Sequence, residues 1–246
     1  MKSSTALPNQ NSRLLIISTS KIHGSPYMEY IAEEIKDFLG DKKELLFIPY
    51  AQPGGISFDE YTSYPQVALK DLGIVVKGIH QYPSAPEAIA QAQAIFTGGG
   101  NTFLLLKTLY EQGLIGPLRD AVSKGTPYMG SSAGSNISGL SIGTTNDMPI
   151  VYPPSFEALQ FLPFNINPHY LDPNPDSKHQ GETRETRINE FHFQNTHKVI
   201  GLREGSWLRV EGQQIFLKGE HSARLFEAGK DAQELMPADI SSALMQ

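Results

Sequence analysis

Short apolar runs alternate with amphipathic segments through the first half of the chain. Five of the runs predict strands that are buried on both faces, as in a parallel sheet; they occupy residues 13–18, 45–49, 74–79, 94–97 and 127–129. The segments between them carry apolar residues at helical spacing, at residues 27–39, 58–72, 86–92 and 114–124 and in a segment with Phe103, Leu106 and Leu109 on one face. This alternation predicts an α/β fold in which helices cover both faces of a mostly parallel sheet.

The second half of the chain is less regular. Residues 144–180 are rich in Pro and Asn and predict loops with short strands. Beyond a helix at 183–193, we expect strands at 164–166, 198–202 and 223–226 and a hairpin of 207–210 with 214–217, and the tail from residue 231 has no clear assignment. No linker divides residues 13–246, so we expect one α/β domain, preceded by a disordered or extended segment at 1–12.

A stretch rich in Gly and Ser directly follows the fifth predicted strand. Gly130-Ser131-Ser132-Ala133-Gly134 fits G-x-S-x-G, the pattern of a nucleophile elbow. A Cβ at either glycine position would crowd the tight strand-to-helix turn. The helix that begins there would direct its free N–H groups and its positive dipole end at the group under attack. Ser132 is therefore the candidate nucleophile, with Ser131 and Ser135 as the alternatives.

Three successive glycines, Gly98 to Gly100, follow the fourth predicted strand. They could bind phosphate through their N–H groups, but they match neither G-x-G-x-x-G nor a P-loop. They could also form an oxyanion hole, in which an N–H of Gly99 or Gly100 acts together with that of Ala133. A third possibility is that they only allow close packing. We favour the oxyanion hole, because the nucleophile candidate is predicted at the same edge of the sheet.

A serine hydroxyl needs a base, usually His, and an acid that orients the base. His169 is favoured because it follows Pro168 and a strand candidate. The six other histidines have weaker contexts: His23, His80, His179, His192, His197 and His221. For the acid, the spacing leaves Glu204 and Asp147 open, and Asp172 is a weaker third. Asp147 could instead be a turn residue that bonds its own backbone.

Composition excludes several classes of protein. The 246 residues contain no cysteine, which removes disulfides, thiolate metal sites and a Cys nucleophile. The net charge of −6, without a basic stripe, argues against nucleic acid as the main partner. We find no metal-binding motif and expect no cofactor. Without a signal peptide or a membrane-length apolar run, we expect a cytoplasmic protein that does not bind membranes.

The order and spacing of several blocks closely resemble the peptidase E family of α-aspartyl dipeptidases, from about Leu14 to about Phe226. The blocks are Phe47-Ile48-Pro49, Gly98-Gly99-Gly100-Asn101-Thr102-Phe103, Ser132-Ala133-Gly134, residues 144–151, Ile166-Asn167-Pro168-His169, Gly181-Glu182-Thr183-Arg184 and residues 201–205. The resemblance implies a class I glutamine-amidotransferase-like α/β sandwich with a Ser nucleophile. It also implies a serine dipeptidase that hydrolyses peptides with an N-terminal aspartate. We expect a monomer or homodimer.

The resemblance assigns roles residue by residue. Ser132 matches the family nucleophile, His169 the base and Glu204 the acid that orients it. Arg184 matches the arginine that holds the substrate's aspartate side chain, and an Arg fork suits a carboxylate. Asp147 matches a substrate-site residue without an assigned role. One departure lies beside the nucleophile, where bacterial members carry Trp in place of Ser131.

Two other functions remain open on the sequence. A cyanophycinase-like peptidase would share the serine elbow but cleave β-aspartyl–arginine bonds. A non-catalytic module on the same fold would bind a small acidic metabolite. An assay with α- and β-linked aspartyl peptides separates the two enzymes, and labelling of Ser132 by an acylating probe argues against the non-catalytic module.

Overall fold

The computed structural model describes residues 8–173 and 181–245. Its larger sheet has eight strands in the order β12-β9-β8-β1-β5-β4-β2-β3. These are β1 (Arg13–Ile17), β2 (Glu44–Ile48), β3 (Val75–Gly78), β4 (Ile95–Thr97), β5 (Tyr128–Ser131), β8 (Ser206–Glu211), β9 (Gln214–Gly219) and β12 (Ala238–Asp239). The first five run parallel to one another, whereas β8, β9 and β12 each pair with their neighbours in antiparallel fashion. The expected α/β fold with a mostly parallel sheet is confirmed.

Helices cover both faces of the parallel strands. They are α1 (Ala32–Leu39), α2 (Phe58–Leu69), α3 (Ala85–Gln91), α4 (Thr102–Glu111), α5 (Ile115–Ser123) and the one-turn α6 (Ala133–Asn136). Successive residues of β1 enter different cores: Leu15 and Ile17 pack with α1 and α2, whereas Leu14 and Ile16 pack with α3, α4 and α5. Because both faces are buried, the strand reads as an unbroken apolar run.

A second, four-stranded sheet in the order β11-β10-β7-β6 was not predicted as a separate layer. Its strands are β6 (Asn165–Pro168), β7 (Val199–Leu202), β10 (Ala223–Phe226) and β11 (Gln233–Leu235). One continuous hydrophobic cluster joins Ile166 and Ile200 of this sheet to Leu14 and Leu208 of the larger one. The two sheets therefore pack on a shared core, and the second sheet can bring residues to the edge of the first.

Further differences from the predictions lie at the chain ends. Residues 9–12, expected within a disordered or extended segment, form a turn, and the carbonyl of Ser12 accepts a hydrogen bond from Gly212. Residues 1–7 lie outside the described part. The tail from residue 231, which had no clear assignment, forms β11, β12 and α8 (Ser241–Met245), so the strand expected at 223–226 is not the last. Helix α7 (Arg184–His192) lies within its predicted range.

Candidate active site

Ser132 lies in the sharp turn between β5 and α6. Its backbone is in an unusual conformation, with φ 54° and ψ −112°. Such a conformation is strained for a residue with a Cβ and is typical of a nucleophile elbow. Helix α6 is a single turn, so we expect its free N–H groups to contribute more at this position than its dipole.

The two glycines of the pattern are required by close backbone packing. A Cβ on Gly130 would lie 2.5 Å from the carbonyl oxygen of Gly134, and one on Gly134 would lie 2.1 Å from that of Thr97. Both distances are far below van der Waals contact, and main-chain atoms cannot move aside without disrupting β4 and β5. The crowding expected from the sequence pattern therefore exists on both sides of Ser132.

The two neighbouring serines are buried. Ser135 Oγ lies 2.7 Å from the carbonyl oxygens of both Ile17 and Gly130, which are the two acceptors within reach of its one hydroxyl hydrogen. Ser131 is fully buried in β5. Of the three serines, Ser132 alone has its hydroxyl bonded to a histidine.

That histidine is His169, which directly follows β6. Its Nε2 lies 2.8 Å from Ser132 Oγ, and its Nδ1 lies 2.6 Å from Glu204 Oε1. A carboxylate can only accept, so Nδ1 carries the proton and Nε2 is left to accept from the serine. The three side chains thus form one chain of hydrogen bonds with the polarity that general-base catalysis needs.

The meeting of His169 and Glu204 follows from the register of two strands. β6 and β7 are parallel, and Pro168 is paired with Leu202. Their carboxyl ends are therefore level, which brings the residue after β6 beside the turn after β7. Asp147 and Asp172, the other acids considered, contact other groups.

The main chain at His169 is held from both sides. His169 has φ 54°, in the left-handed region. Its N–H donates to Ser18 Oγ at 2.9 Å, while the carbonyl of Pro168 accepts from Asn146 Nδ2 at 2.8 Å. The fully buried Ser18 donates in turn to the carbonyl of Leu202 at 2.7 Å. Ser18 therefore links the end of β1 to β6 and β7, the two strands that precede His169 and Glu204.

Sequence reasoning did not identify Ser18. The available signal was its position, since it is the first polar residue after the apolar run of β1 and so lies at the edge where the site forms. A serine at a strand end is common, and nothing local distinguishes this one.

An ion pair joins the two loops behind the site. Arg203, beside Glu204, binds Asp172 through Nε at 2.8 Å and Nη2 at 2.7 Å. The hydrogen bonds of Arg203 hold the pKa of the Asp172 carboxyl below its usual range. Such a bidentate pair fixes orientation as well as distance. It therefore connects the loop after His169 to the turn that carries Glu204.

The oxyanion candidates lie against the nucleophile. A Cβ on Gly99 would approach Ser132 Cβ to 2.9 Å and its Oγ to 3.4 Å. Among the hydrogen bonds of residues 8–173 and 181–245, none uses the N–H groups of Gly99, Gly100 or Ala133. These three N–H groups are therefore without an acceptor among the described residues.

The two substrate-binding candidates are close enough to interact electrostatically. Burial lowers the pKa of Arg184, the neighbouring Arg187 lowers it further, and Asp147 partly offsets this. The carboxylate of Asp147 does not bond its own backbone. Its Oδ2 instead accepts hydrogen bonds from both the N–H and the hydroxyl of Thr102, at 2.7 and 2.6 Å. Its carboxylate thereby caps the start of α4, directly after the glycine loop.

The other histidines make different contacts. His80 Nε2 lies 2.9 Å from Asp59, and His192 Nε2 lies 2.9 Å from the carbonyl oxygen of His197. His179 falls outside the described residues. In the described ranges no group of three or more His, Asp or Glu side chains is arranged to hold a metal ion.

None of the helices within the described ranges is both long and apolar enough to span a membrane.

The fold and the geometry together define a class of protein. A serine in a nucleophile elbow at the carboxyl edge of a parallel sheet, bonded to a histidine that is bonded to a carboxylate, is the arrangement of a serine hydrolase.

Comparison with known proteins narrows this class. The sequence profile of peptidase family S51 matches residues 14–218. A Drosophila melanogaster protein named "Probable alpha-aspartyl dipeptidase" is 47% identical, over 95% of this chain and 98% of its own. Peptidase E of Streptomyces coelicolor is 50% identical over 94% of each chain. The crystal structure of a peptidase from an acI-B1 actinobacterium shares the fold, with a TM-score of 0.69 at 17% identity over 93% of this chain and 96% of that one.

The chain therefore belongs to peptidase family S51, and it is a peptidase of the hydrolase class. The expected family resemblance and the expected enzyme class are both confirmed by these matches.

Proposed function

We propose that this protein is a dipeptidase that hydrolyses peptides with an N-terminal aspartate through a Ser132–His169–Glu204 triad. The observation that carries the proposal is the pair of hydrogen bonds made by His169, 2.8 Å to Ser132 and 2.6 Å to Glu204. The names of two relatives, an alpha-aspartyl dipeptidase and a peptidase E, support the substrate class.

The reaction proceeds through an acyl-enzyme. Ser132 Oγ attacks the peptide carbonyl carbon while His169 Nε2 takes its proton, and Glu204 stabilises the imidazolium that forms. The N–H of Ala133, with that of Gly99 or Gly100, holds the negatively charged oxygen. His169 then protonates the leaving amine. It next takes a proton from the water that attacks the aspartyl ester, and it returns this proton to Ser132 Oγ as the ester bond breaks and aspartate is released.

Arg184 supplies the preference for aspartate. It begins α7, it is half-buried, and none of the carboxylates in the described ranges lies within 4 Å of its guanidinium. A planar guanidinium can donate two parallel hydrogen bonds to the β-carboxylate of a bound aspartyl residue. Asp147 lies within electrostatic range of Arg184, so we assign it a role in orienting that arginine.

A dipeptide panel tests the substrate assignment. We expect wild-type protein to cleave α-Asp-Leu far faster than Glu-Leu, Asn-Leu, Ala-Leu or β-Asp-Leu, and Ser132→Ala to cleave none of them. Preferential cleavage of the β-linked peptide would point to the cyanophycinase-like alternative. Turnover by Ser132→Ala near the wild-type rate would refute the triad.

The role of Arg184 has its own test and a matched control. Arg184→Ala should lower kcat/KM for α-Asp-Leu by about 100-fold, because two hydrogen bonds to a charged group contribute about 3 kcal/mol. Cleavage of Ala-Leu should change little. Arg187→Ala, one turn along α7 and paired with Glu182, should resemble wild type. An equal loss on both substrates would remove Arg184 from the specificity site.

A further inference from the structure

The carbonyl oxygen of Gly99 accepts hydrogen bonds from two distant side chains. Tyr61 Oη, on α2, donates to it at 2.9 Å, and Gln52 Nε2, in the loop after β2, donates at 3.1 Å. Tyr61 is only 4% exposed. A glycine carbonyl next to the nucleophile is thus held by two converging donors from outside its own loop.

The peptide that these donors hold has little intrinsic preference for one orientation. It lies between two glycines, so no Cβ on either side opposes its rotation. Gly100 also has φ +134°, a conformation that side-chain-bearing residues rarely adopt. The orientation of the Gly99–Gly100 peptide must therefore come from contacts outside the loop.

Fixing the carbonyl also fixes the next N–H. In a planar trans peptide the C=O of Gly99 and the N–H of Gly100 point in opposite directions. While Tyr61 and Gln52 hold the carbonyl on the side of α2, the N–H of Gly100 is turned away from that side. If the peptide flipped, an oxygen would replace this donor and would repel a developing oxyanion.

We propose that the N–H of Gly100 is the loop donor of the oxyanion hole, and that Tyr61 and Gln52 are positioning residues that hold it in place through the Gly99–Gly100 peptide. The proposal rests on the function proposed above and goes beyond it by naming side chains that keep its N–H donor in place. Burial raises the pKa of Tyr61, so its hydroxyl keeps the proton that it donates.

The experiment compares Tyr61→Phe, Gln52→Ala and the double variant with Tyr64→Phe. Tyr64 packs edge-on against Tyr61 with ring centroids 5.9 Å apart and is 41% exposed, so it is a matched control in the same aromatic cluster. Each variant is assayed for kcat and KM on α-Asp-Leu. Each is also assayed for inhibition by an aspartyl boronic acid, whose tetrahedral serine adduct mimics the intermediate, and for inhibition by the product aspartate.

Tyr61→Phe should lower kcat about tenfold and the double variant about 100-fold, since loss of a whole oxyanion donor costs about 10²- to 10³-fold. Boronate affinity should fall by the same factors. KM, aspartate affinity and the pH midpoint of kcat/KM should stay at wild-type values, because the His169–Glu204 pair is untouched. Tyr64→Phe should resemble wild type.

Two kinetic results would overturn the proposal: wild-type kcat and boronate affinity in the double variant, or equal weakening of boronate and aspartate binding. If the melting temperature fell and kcat, KM and both inhibitor affinities weakened together, Tyr61 and Gln52 would have only a structural role, which would also overturn the proposal. Failure of the proposed function is distinguishable, because wild-type protein would then not cleave α-Asp-Leu. The rate at which a fluorophosphonate labels Ser132 would still report the oxyanion hole, and it should fall by the same factors in the variants.

Discussion

The two halves of the active site are built in different ways. The nucleophile half comes from residues that are adjacent in sequence, and main-chain packing fixes it: Gly130 and Gly134 leave no room for a methyl group. The base half comes from His169 and Glu204, which lie 35 residues apart and are 34% and 49% exposed. Side-chain hydrogen bonds hold this second half.

Because of this difference, substitutions in the two halves should affect folding and catalysis differently. In the nucleophile half, a small change in volume disturbs the parallel sheet itself. In the base half, a hydrogen bond can be removed while the core of both sheets stays intact. We therefore expect variants of the base half to remain folded. The loss of kcat should be largest for residues that contact the imidazole of His169 and smaller for residues farther from it.

The largest step is expected at the acid. Glu204→Gln should lower kcat about 10³- to 10⁴-fold, because an amide that donates to Nδ1 favours the tautomer in which Nε2 cannot accept the proton of Ser132. Steady-state kinetics on α-Asp-Leu measures this. Glu220→Gln, at a nearby exposed carboxylate, is the control and should leave kcat unchanged. Retention of more than a tenth of wild-type kcat by Glu204→Gln would contradict the triad.

A smaller step is expected at Ser18. Ser18→Ala removes the acceptor for the N–H of His169 and the donor to the carbonyl of Leu202. We expect a loss of about tenfold in kcat from misplacement of the base. The free energy of unfolding should fall by about 1–3 kcal/mol because two buried groups lose a partner.

Ser12→Ala is the matched control for this change. Ser12 is equally buried, accepts a hydrogen bond from the N–H of Asn9, and lies just before the opposite end of β1. It should lose stability without a specific loss of kcat. If both variants lost activity alike, Ser18 would have no role beyond the stability of β1.

The smallest effect is expected at Asp172. Because Arg203 lowers the pKa of Asp172 in the folded protein, the pair stabilises the fold above the unfolded pKa of about 3.9, and this contribution is lost as the pH falls through the folded value. At pH 7, Asp172→Asn should lose less than about 1 kcal/mol, since the carboxylate is 53% exposed.

Thermal unfolding across acidic pH measures this contribution. The melting temperature of wild-type protein should fall more steeply than that of Asp172→Asn as the pH is lowered below about 4, and the two curves should converge at the acidic end. Parallel curves would show that the pair does not contribute.

The nucleophile half could be predicted from the sequence because its determinants are local. The apolar runs of the parallel strands, the G-x-S-x-G pattern and the glycines after β4 all lie within short windows. The antiparallel hairpin of β8 and β9 could also be predicted, because apolar residues alternate along its strands. Most element ends differed from their predicted positions by a residue or two, as is usual where helices and strands fray. The exceptions are α1, which begins at Ala32 and not at residue 27, and α2, which ends at Leu69 and not at residue 72.

The base half could not be derived in this way. The choice between Glu204 and Asp147 stayed open on spacing alone, because the parallel register of β6 and β7 decides which acid meets His169. The second sheet was not predicted as a separate layer. One of its strands, β11, is only three residues long and largely exposed, so it lacks the apolar pattern of a buried strand. Tyr61 carries no local signal, because its bond to Gly99 spans 38 residues.

The identity of the nucleophile is the central claim, and covalent labelling tests it most directly. Wild-type protein is treated with a fluorophosphonate, and the modified residue is located by tandem mass spectrometry. We expect one adduct, on Ser132, and no adduct in folded Ser132→Ala. An adduct on Ser131 or Ser135, or equal labelling of the Ser132→Ala variant, would contradict the account.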